Sequence, residues 1–283
     1  MSAARLTFLT ALAMLAFAGN SVLCRVALRD TEIDPATFTT LRLISGALML
    51  WVLLHWPGRG ARGTGGNWTS AVALFVYAAA FSWAYIQLDA ATGALLLFAA
   101  VQVSMLGIGL LRGERLSPVQ SAGFALALIG LAALLLPGAS TPPALPALSM
   151  LAAGVAWGLY SLRGRGASNP LADTAGNFVR AVPLALALSA LTLPWLSVDA
   201  NGALYALASG AITSGLGYAI WYAALPGLRA SAAASVQLSV PVITAAGGLL
   251  LLNEAPSLLL MIASLAILGG IALVIGGPKA ASR

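Results

Sequence analysis

Aromatic side chains recur at helical spacing in two apolar stretches, where their rings could hold a flat, apolar ligand. Tyr77, Phe81 and Tyr85 are each four residues apart, so a helix places them on one face. A comparable stripe further along the chain consists of Tyr218, Trp221 and Tyr222, with Ser214 and Gly215. Rings that line a cavity stack on flat substrates. The competing interpretation is that these rings only pack helices together.

Polar side chains accompany the rings. Trp157 and Tyr160 of "VAWGLYS" join the predicted ligand-binding set. Four amides lie inside apolar runs, namely Asn20, Gln102, Asn177 and Gln237. An unpaired amide facing lipid is costly, so these amides must face other helices or water. They either bind the amino and carboxyl groups of a zwitterion or link neighbouring helices.

Two arginines lie within apolar runs. Arg42 and Arg180 are each roughly 10 Å along a helix from its nearer end, at 1.5 Å per residue. A guanidinium at this depth either reaches the lipid headgroups or serves inside the protein. The second interpretation predicts a gating pair or a contact to a substrate carboxylate.

The rest of the composition argues against several kinds of catalytic and metal site. A single Cys24 and a single His55 leave no set for a thiolate metal site or a Cys–His nucleophile. No nucleotide-binding motif is present, and neither a cofactor nor a metal is expected. The few acidic residues are scattered over separate loops. An enzyme acting on lipid would need a cluster of His, Asp or Glu, so it is the weaker hypothesis.

The elements that carry these residues are predicted to span a membrane. Sixty per cent of the 283 residues are apolar, only 8% are charged, and the mean hydropathy is +0.95. A soluble domain carries roughly 25% charged residues. The sequence therefore predicts an all-α integral membrane protein in the lipid bilayer. Its ten predicted spans are 5–24, 35–56, 68–88, 91–111, 117–136, 146–163, 173–193, 202–222, 231–251 and 257–276.

The basic residues predict the orientation of the spans. With a cytoplasmic N-terminus, ten of the fourteen Lys and Arg residues lie on the cytoplasmic side and two, Arg25 and Arg29, outside. The remaining two lie within spans. Cytoplasmic loops of membrane proteins are rich in Lys and Arg, so both termini are predicted to be cytoplasmic. The net charge of +6 then reflects topology and not nucleic-acid binding.

The chain also contains an internal repeat. A shift of 140 residues aligns Glu114 of "GERLS" with Glu254 of "NEAPS", and Ser117 with Ser257. This predicts two five-helix repeats, 1–138 and 139–283, which together form one transport domain. Because five is odd, the repeats are inverted. The two glutamates are interpreted as helix-end residues at equivalent tight turns or gates, and the serines as N-caps of the next helices.

These motifs, with "VAWGLYS", the Arg42/Arg180 pair and "GLRASAAASVQ", resemble the drug/metabolite transporter superfamily and its EamA-type ten-helix branch. Within that branch, "ATGALLLFAAVQVSM" at 91–105 looks most like the YddG-type exporters of aromatic amino acids. The proline usual in the fourth helix of each repeat is present as Pro241 but is replaced by Val101 in the first half.

The resemblance implies a secondary transporter of a bacterial-type inner membrane that exports small amphipathic metabolites. Amino acids, aromatic ones included, are the expected small-molecule substrates, with alternating access to a central aromatic cavity. Efflux of drugs or other metabolites is the alternative, and a receptor or scaffold would show no flux. No acidic residue lies deep within a span, which favours facilitated diffusion over proton antiport. The bundle is large enough to act as a monomer.

Overall fold

A computed structural model describes residues 1–56, 65–113, 115–136, 141–164, 167–228, 233 and 236–277. Within these ranges the chain is helical and contains no strand. The helices are α1 (Ala3–Asp30), α2 (Pro35–Leu54), α3 (Trp68–Tyr85), α4 (Ala90–Leu111), α5 (Pro118–Leu135), α6 (Ala144–Gly164), α7 (Pro170–Leu191), α8 (Ala200–Gly227), α9 (Ser239–Leu252) and α10 (Leu258–Gly276). A short 3-10 turn, Leu193–Trp195, follows α7.

The predicted spans are confirmed as helices. In the described part of the chain, nine helices are long and apolar enough to cross a membrane, and α9 is a shorter apolar helix. Part of the predicted 231–251 span precedes α9 and lies outside the described residues. Each helix satisfies its own backbone hydrogen bonds, which is why apolar runs of this length adopt helices in lipid.

Polar side chains begin several helices, as the sequence predicts. Ser117 Oγ accepts a hydrogen bond from the Gln120 amide at 3.3 Å, and the Gln120 side chain accepts one from Ser117 N at 3.0 Å. Ser257 Oγ accepts from Leu260 N at 3.1 Å. Both serines are therefore N-caps, of α5 and α10.

Helix packing follows one pattern across the molecule. α3 packs against α6, and the helices five positions from these two, α8 and α1, pack against each other. In the same way, α4 packs against α6 and α9 packs against α1. The remaining contacts between the first and second five helices include α2 with α7, α4 with α9 and α5 with α10. Thr40 Oγ1 donates to Ala185 O at 3.0 Å, while Gly46 lies beside Phe178, so α2 and α7 run antiparallel.

α5 and α10 meet through glycines. A Cβ added at Gly123 would lie 2.5 Å from Gly270 O, and one at Gly270 would lie 2.7 Å from Ala127 N. Small residues of this kind let two membrane helices approach at backbone distance. Gly123 also lies near Leu273, whereas Gly130 lies near Ala263, so these two helices are also antiparallel.

α8 is not a regular α-helix along its whole length. Its middle, Ser209–Leu216, is wound as a π-helix between the α-helical segments Ala200–Ala208 and Gly217–Ala224. π-helical turns are rare and occur frequently at functional sites. Here the π segment packs against α2, where Gly210 contacts the Arg42 backbone.

Two ends of the bundle can be told apart. The first, the Glu254 end, contains the C-terminal ends of α1 and α9 and the N-terminal end of α4. The second, the Asp173 end, contains the N-terminal ends of α3 and α7 and the C-terminal end of α6. The candidate site lies between them.

Candidate functional site: a central aromatic cavity

A small cavity of about 30 Å³ lies in the middle of the bundle. Its lining comes from α1, α3, α4, α6, α8 and the segment before α9. The lining residues are Phe17, Asn20, Ser21, Tyr77, Phe81, Leu97, Phe98, Trp157, Thr213, Ser214, Tyr218 and Gln237. A volume of this size holds about two waters, whereas an apolar cavity that binds benzene measures about 150 Å³. The cavity is therefore narrow and too small for a benzene-sized ligand in this conformation.

Aromatic rings form the walls of this cavity. The Trp157 ring stacks on Tyr218 at a centroid distance of 5.3 Å and lies 4.8 Å from Tyr77. Phe17 meets Tyr218 edge to face at 5.7 Å, and Tyr77 lies 5.4 Å from Phe81. These distances are those of favourable ring pairs. The rings from both predicted halves thus form one continuous cluster.

Arg42 lies directly behind the aromatic wall, where only 2% of its surface is exposed. Its guanidinium carbon is 5.1 Å from the centre of the Tyr77 ring and 5.0 Å from that of Phe81. Nη2 donates to the Tyr77 hydroxyl at 3.0 Å and Nε to Ser214 Oγ at 3.4 Å. A buried guanidinium over ring faces gains cation–π attraction. Within the described chain no carboxylate pairs with it.

Asn20 connects α1 to the π segment of α8. Its Oδ1 accepts from Ser209 Oγ at 2.8 Å and from Thr213 Oγ1 at 3.3 Å, and its Nδ2 donates to the Tyr77 hydroxyl at 3.3 Å. Asn20 is buried, so this network satisfies an amide that would otherwise be costly in the membrane. The polar side of the cavity is a linked chain from Ser209 to Arg42.

A second, more polar cavity of about 100 Å³ lies at the Asp173 end. Its lining residues are Gly66, Asn67, Ser70, Tyr160, Arg163, Gly164, Ala167, Pro170, Asp173, Thr174, Asn177 and Tyr222. The Tyr160 ring stacks on Trp157 at 5.3 Å, so these two rings lie between the two cavities. Asn177 Nδ2 donates to the Tyr160 hydroxyl at 3.5 Å.

The predicted site residues therefore divide into three groups. Those that line the central cavity are Asn20, Tyr77, Phe81, Trp157, Tyr218 and Gln237. Tyr160 and Asn177 line the second cavity. Gln102 and Trp221 line neither, and Trp221 instead packs edge to face against Phe17 at 6.0 Å.

The two embedded arginines have different surroundings. Arg42 is buried beside the central cavity, whereas Arg180 is half-buried near the Asp173 end. Arg180 Nη1 donates to the carbonyls of Gly65, at 2.8 Å, and Gly176, at 2.9 Å. It thus holds the segment before α3 against α7. The two arginines are not brought together, and a shared gating role stays a prediction.

An ion-pair cluster joins the helices at the Glu254 end. Glu254 Oε1 accepts from Arg25 Nε at 2.7 Å and from Arg29 Nη1 at 3.1 Å. Its Oε2 accepts from Ala90 N at 2.7 Å, at the start of α4. Arg25 also donates to the carbonyls of Tyr85 and Ile86, both at 3.0 Å. The cluster closes this end by linking α1, the α3–α4 connection and the end of α9.

Sequence reasoning missed the two arginines of this cluster. The charge pattern of the sequence accounts for Arg25 and Arg29 only as two positive charges on the predicted outer side. Their spacing of four residues, on one face of α1, was the signal that could have paired them with the scarce acid Glu254. Glu254 itself follows Asn253, which has a left-handed backbone with φ of 55°. Its counterpart Glu114 lies outside the described residues.

The sequence model of the EamA-like transporter family matches residues 5–136 and 144–276, which is most of the chain. The chain belongs to the EamA-like transporter family. This family is part of the drug/metabolite transporter superfamily, and its members are membrane proteins.

Two further proteins are similar to this EamA-like transporter. An uncharacterized protein of Pseudomonas aeruginosa, PA1977, is 62% identical over 271 residues, which cover 96% of this chain and 94% of the relative. A crystal structure of a protein with 21% identity aligns with a TM-score of 0.67 over 96% of this chain and 98% of that one. The second similarity concerns the fold alone. Family membership makes this protein a multi-pass membrane transporter.

Proposed function

We propose that this EamA-like protein exports small amphipathic metabolites, amino acids and aromatic ones in particular, by alternating access to the central cavity. The observation that carries the proposal is the narrow aromatic cavity with Arg42 behind its wall. Aromatic walls favour flat, apolar groups, and a buried guanidinium favours a carboxylate. The YddG-type exporters, which resemble the chain at 91–105, share this substrate class.

The helix pairing supports two inverted repeats, 1–138 and 139–283, as the moving parts. Contacts between the halves keep the same pattern when each helix is exchanged with the one five positions later. The pairs α2–α7 and α5–α10 run antiparallel, as equivalent helices of inverted repeats must. Rocking of such halves exposes a central site alternately to each side of the membrane.

The ends of the bundle support a state that is closed towards the outside. With the predicted cytoplasmic termini, the Glu254 end faces out and the Asp173 end faces the cytoplasm. The Glu254 end is held by the ion pairs of Arg25 and Arg29, whereas the Asp173 end contains the larger cavity. An export cycle then begins with a substrate that enters from the cytoplasmic side.

Counterflow in liposomes tests the proposal. Purified protein is reconstituted with an excess of unlabelled phenylalanine inside, and labelled phenylalanine is supplied outside. Transient accumulation of label above equilibrium is expected, and liposomes without protein provide the control. A panel of unlabelled amino acids, drugs and other metabolites as competitors then ranks the substrates. No accumulation of labelled phenylalanine would contradict transport of this amino acid.

Coupling is tested in the same liposomes. In the described spans, no Asp or Glu lies near the central cavity, where a proton-coupled antiporter would need one. Flux is therefore expected to persist when the pH is equal on both sides. An absolute requirement for a pH gradient would contradict facilitated diffusion without contradicting transport.

A further inference from the structure

The polar groups at the aromatic wall are the charged guanidinium of Arg42 and the hydroxyl of Tyr77. Each has one hydrogen-bond donor that lacks an acceptor in the part of the chain that the structure describes. Nη1 of Arg42 is buried and has no hydrogen-bond partner among the described residues. The Tyr77 hydroxyl accepts from Arg42 Nη2 and from Asn20 Nδ2, and within the described chain its own proton has no acceptor. Buried donors are almost always satisfied. Arg42 does not itself line the cavity, so its Nη1 becomes available to a ligand only when the aromatic wall moves aside.

The charge balance of the cavity is one-sided. Its lining contains neither Asp nor Glu. The nearby oxygens are neutral, and Asn20 Oδ1 already accepts from Ser209 and Thr213. Burying a guanidinium without a counter-charge is unfavourable, so an anionic group on a ligand would offset the charge of Arg42. A ligand cation would meet the positive field of Arg42 with no carboxylate to offset it.

From these observations we infer that the cavity recognises a carboxylate and does not require an amino group. Arg42 and the Tyr77 hydroxyl bind the carboxylate, while Trp157, Tyr218 and Phe81 hold the apolar body of the ligand. The ligand class is thus apolar and aromatic monocarboxylates, with zwitterionic amino acids tolerated and organic cations rejected. This inference rests on the proposed function for the location of the site.

Occupation of the site by a ligand requires the narrow cavity to widen. Its present volume of about 30 Å³ is too small for a phenyl ring. Polarisation of the Tyr77 hydroxyl by Arg42 and Asn20 strengthens it as a donor, because hydrogen bonds in a chain reinforce one another. The carboxylate completes the network that extends from Ser209 through Asn20 and Tyr77 to Arg42.

Equilibrium dialysis of the full-length protein in detergent tests this inference with three compounds of nearly equal shape. 3-Phenylpropionate carries only the carboxylate, phenylalanine carries both charges, and phenethylamine carries only the ammonium. Wild-type protein is expected to bind the first two with comparable affinity and phenethylamine at least tenfold more weakly. Phenethylamine binding as tightly as 3-phenylpropionate, or no binding of the acid, would overturn the inference.

Variants assign the recognition to its residues. Arg42→Gln is expected to weaken binding of 3-phenylpropionate at least tenfold and Tyr77→Phe severalfold, because each removes a donor to a charged group. The matched controls Arg5→Gln and Tyr205→Phe alter residues outside the cavity and should leave affinity unchanged. Unchanged affinity in Arg42→Gln would overturn the inference. If that variant fails to fold, the wild-type ligand comparison still decides.

The dialysis separates this inference from the proposed function. Binding of 3-phenylpropionate that depends on Arg42, together with no counterflow in liposomes, would leave the carboxylate site standing and contradict transport of this class. Counterflow of phenylalanine with equal binding of the acid and the amine would leave transport standing and overturn the carboxylate site.

Discussion

Two carboxyl groups of the Glu254 end, those of Glu254 and Asp89, have different surroundings. The Glu254 side chain is 8% exposed and accepts hydrogen bonds from two arginines and one backbone amide. Asp89 is 58% exposed, and its contact with Arg25 is long, at 3.5 Å. Burial, together with the negative charge of Glu254, raises the pKa of Asp89 despite the opposing effect of Arg25 and Arg29. The cluster thus disfavours the ionised form of Asp89.

Asp89→Asn is expected to raise the melting temperature at neutral pH. A carboxyl group whose pKa is raised by folding is more stable protonated, so its ionised form costs folding free energy as pH rises through that pKa. This cost is absent below the ordinary pKa of 3.8. The difference in melting temperature between variant and wild type should therefore shrink towards zero as the pH is lowered to about that value. A variant that is less stable than wild type at pH 7 would show that the Arg25 contact dominates.

At the scale of single elements, the π segment of α8 explains why the aromatic residues of this helix that line the cavities differ from those that the 140-residue repeat predicts. The shift of 140 residues moves Tyr77 and Phe81 of α3 to Gly217 and Trp221 of α8. The residues that line the cavities are instead Tyr218 and Tyr222, one position later in each case. The wider turns of Ser209–Leu216 displace the face by one residue. Regular helical spacing could not predict this displacement.

Other elements could be predicted because their cause is local. Apolar length determines a span, and Ser117 and Ser257 supply the caps that start α5 and α10. The residues of the cavity could be predicted only in part. Arg25 meets Glu254 across 229 positions of sequence, and no local pattern encodes a contact of that separation. The burial of Arg42 without a carboxylate was likewise visible only after the helices were assembled.

The contact between α5 and α10 predicts unequal effects at two adjacent glycines. Gly270→Ala is expected to lower the melting temperature, because its Cβ would lie 2.7 Å from Ala127 N and force the helices apart. Overpacking of this kind costs about 1–3 kcal/mol. Gly269→Ala is the matched control, since a Cβ there meets nothing within 4 Å. Thermal unfolding followed by size-exclusion chromatography compares them, and equal melting temperatures would contradict a tight α5–α10 contact.

The ion-pair cluster predicts that one substitution opens the Glu254 end. Glu254→Gln leaves the buried Arg25 with only its long contact to Asp89, and breaking a buried pair costs about 3–5 kcal/mol. Cys24 is fully buried one residue before Arg25 and provides a native reporter. Its labelling by a maleimide is expected to be faster in Glu254→Gln than in wild type. The exposed Glu32→Gln is the control, and an unchanged rate in Glu254→Gln would contradict a closing role for the cluster.

For the whole molecule, the distribution of charge predicts which end faces the cytoplasm. Single cysteines are placed at exposed positions of the two ends by Val198→Cys, near the Glu254 end, and Ser168→Cys, at the Asp173 end, in a Cys24→Ser background. In intact spheroplasts, a membrane-impermeant maleimide should label the first and not the second. Both should be labelled after lysis. The opposite result would reverse the orientation of the bundle and the direction of the proposed export.

The stack of Trp157 on Tyr160 has an electrical consequence for a cell. A bacterial inner membrane sustains a voltage, and moving one elementary charge through 100 mV is worth about 2.3 kcal/mol. A continuous column of water through the protein would conduct ions and protons and dissipate that voltage. The two rings lie between one cavity of about 30 Å³ and another of about 100 Å³. We therefore expect the aromatic partition to prevent ion leakage through the resting protein, so that a planar bilayer containing it keeps a low conductance.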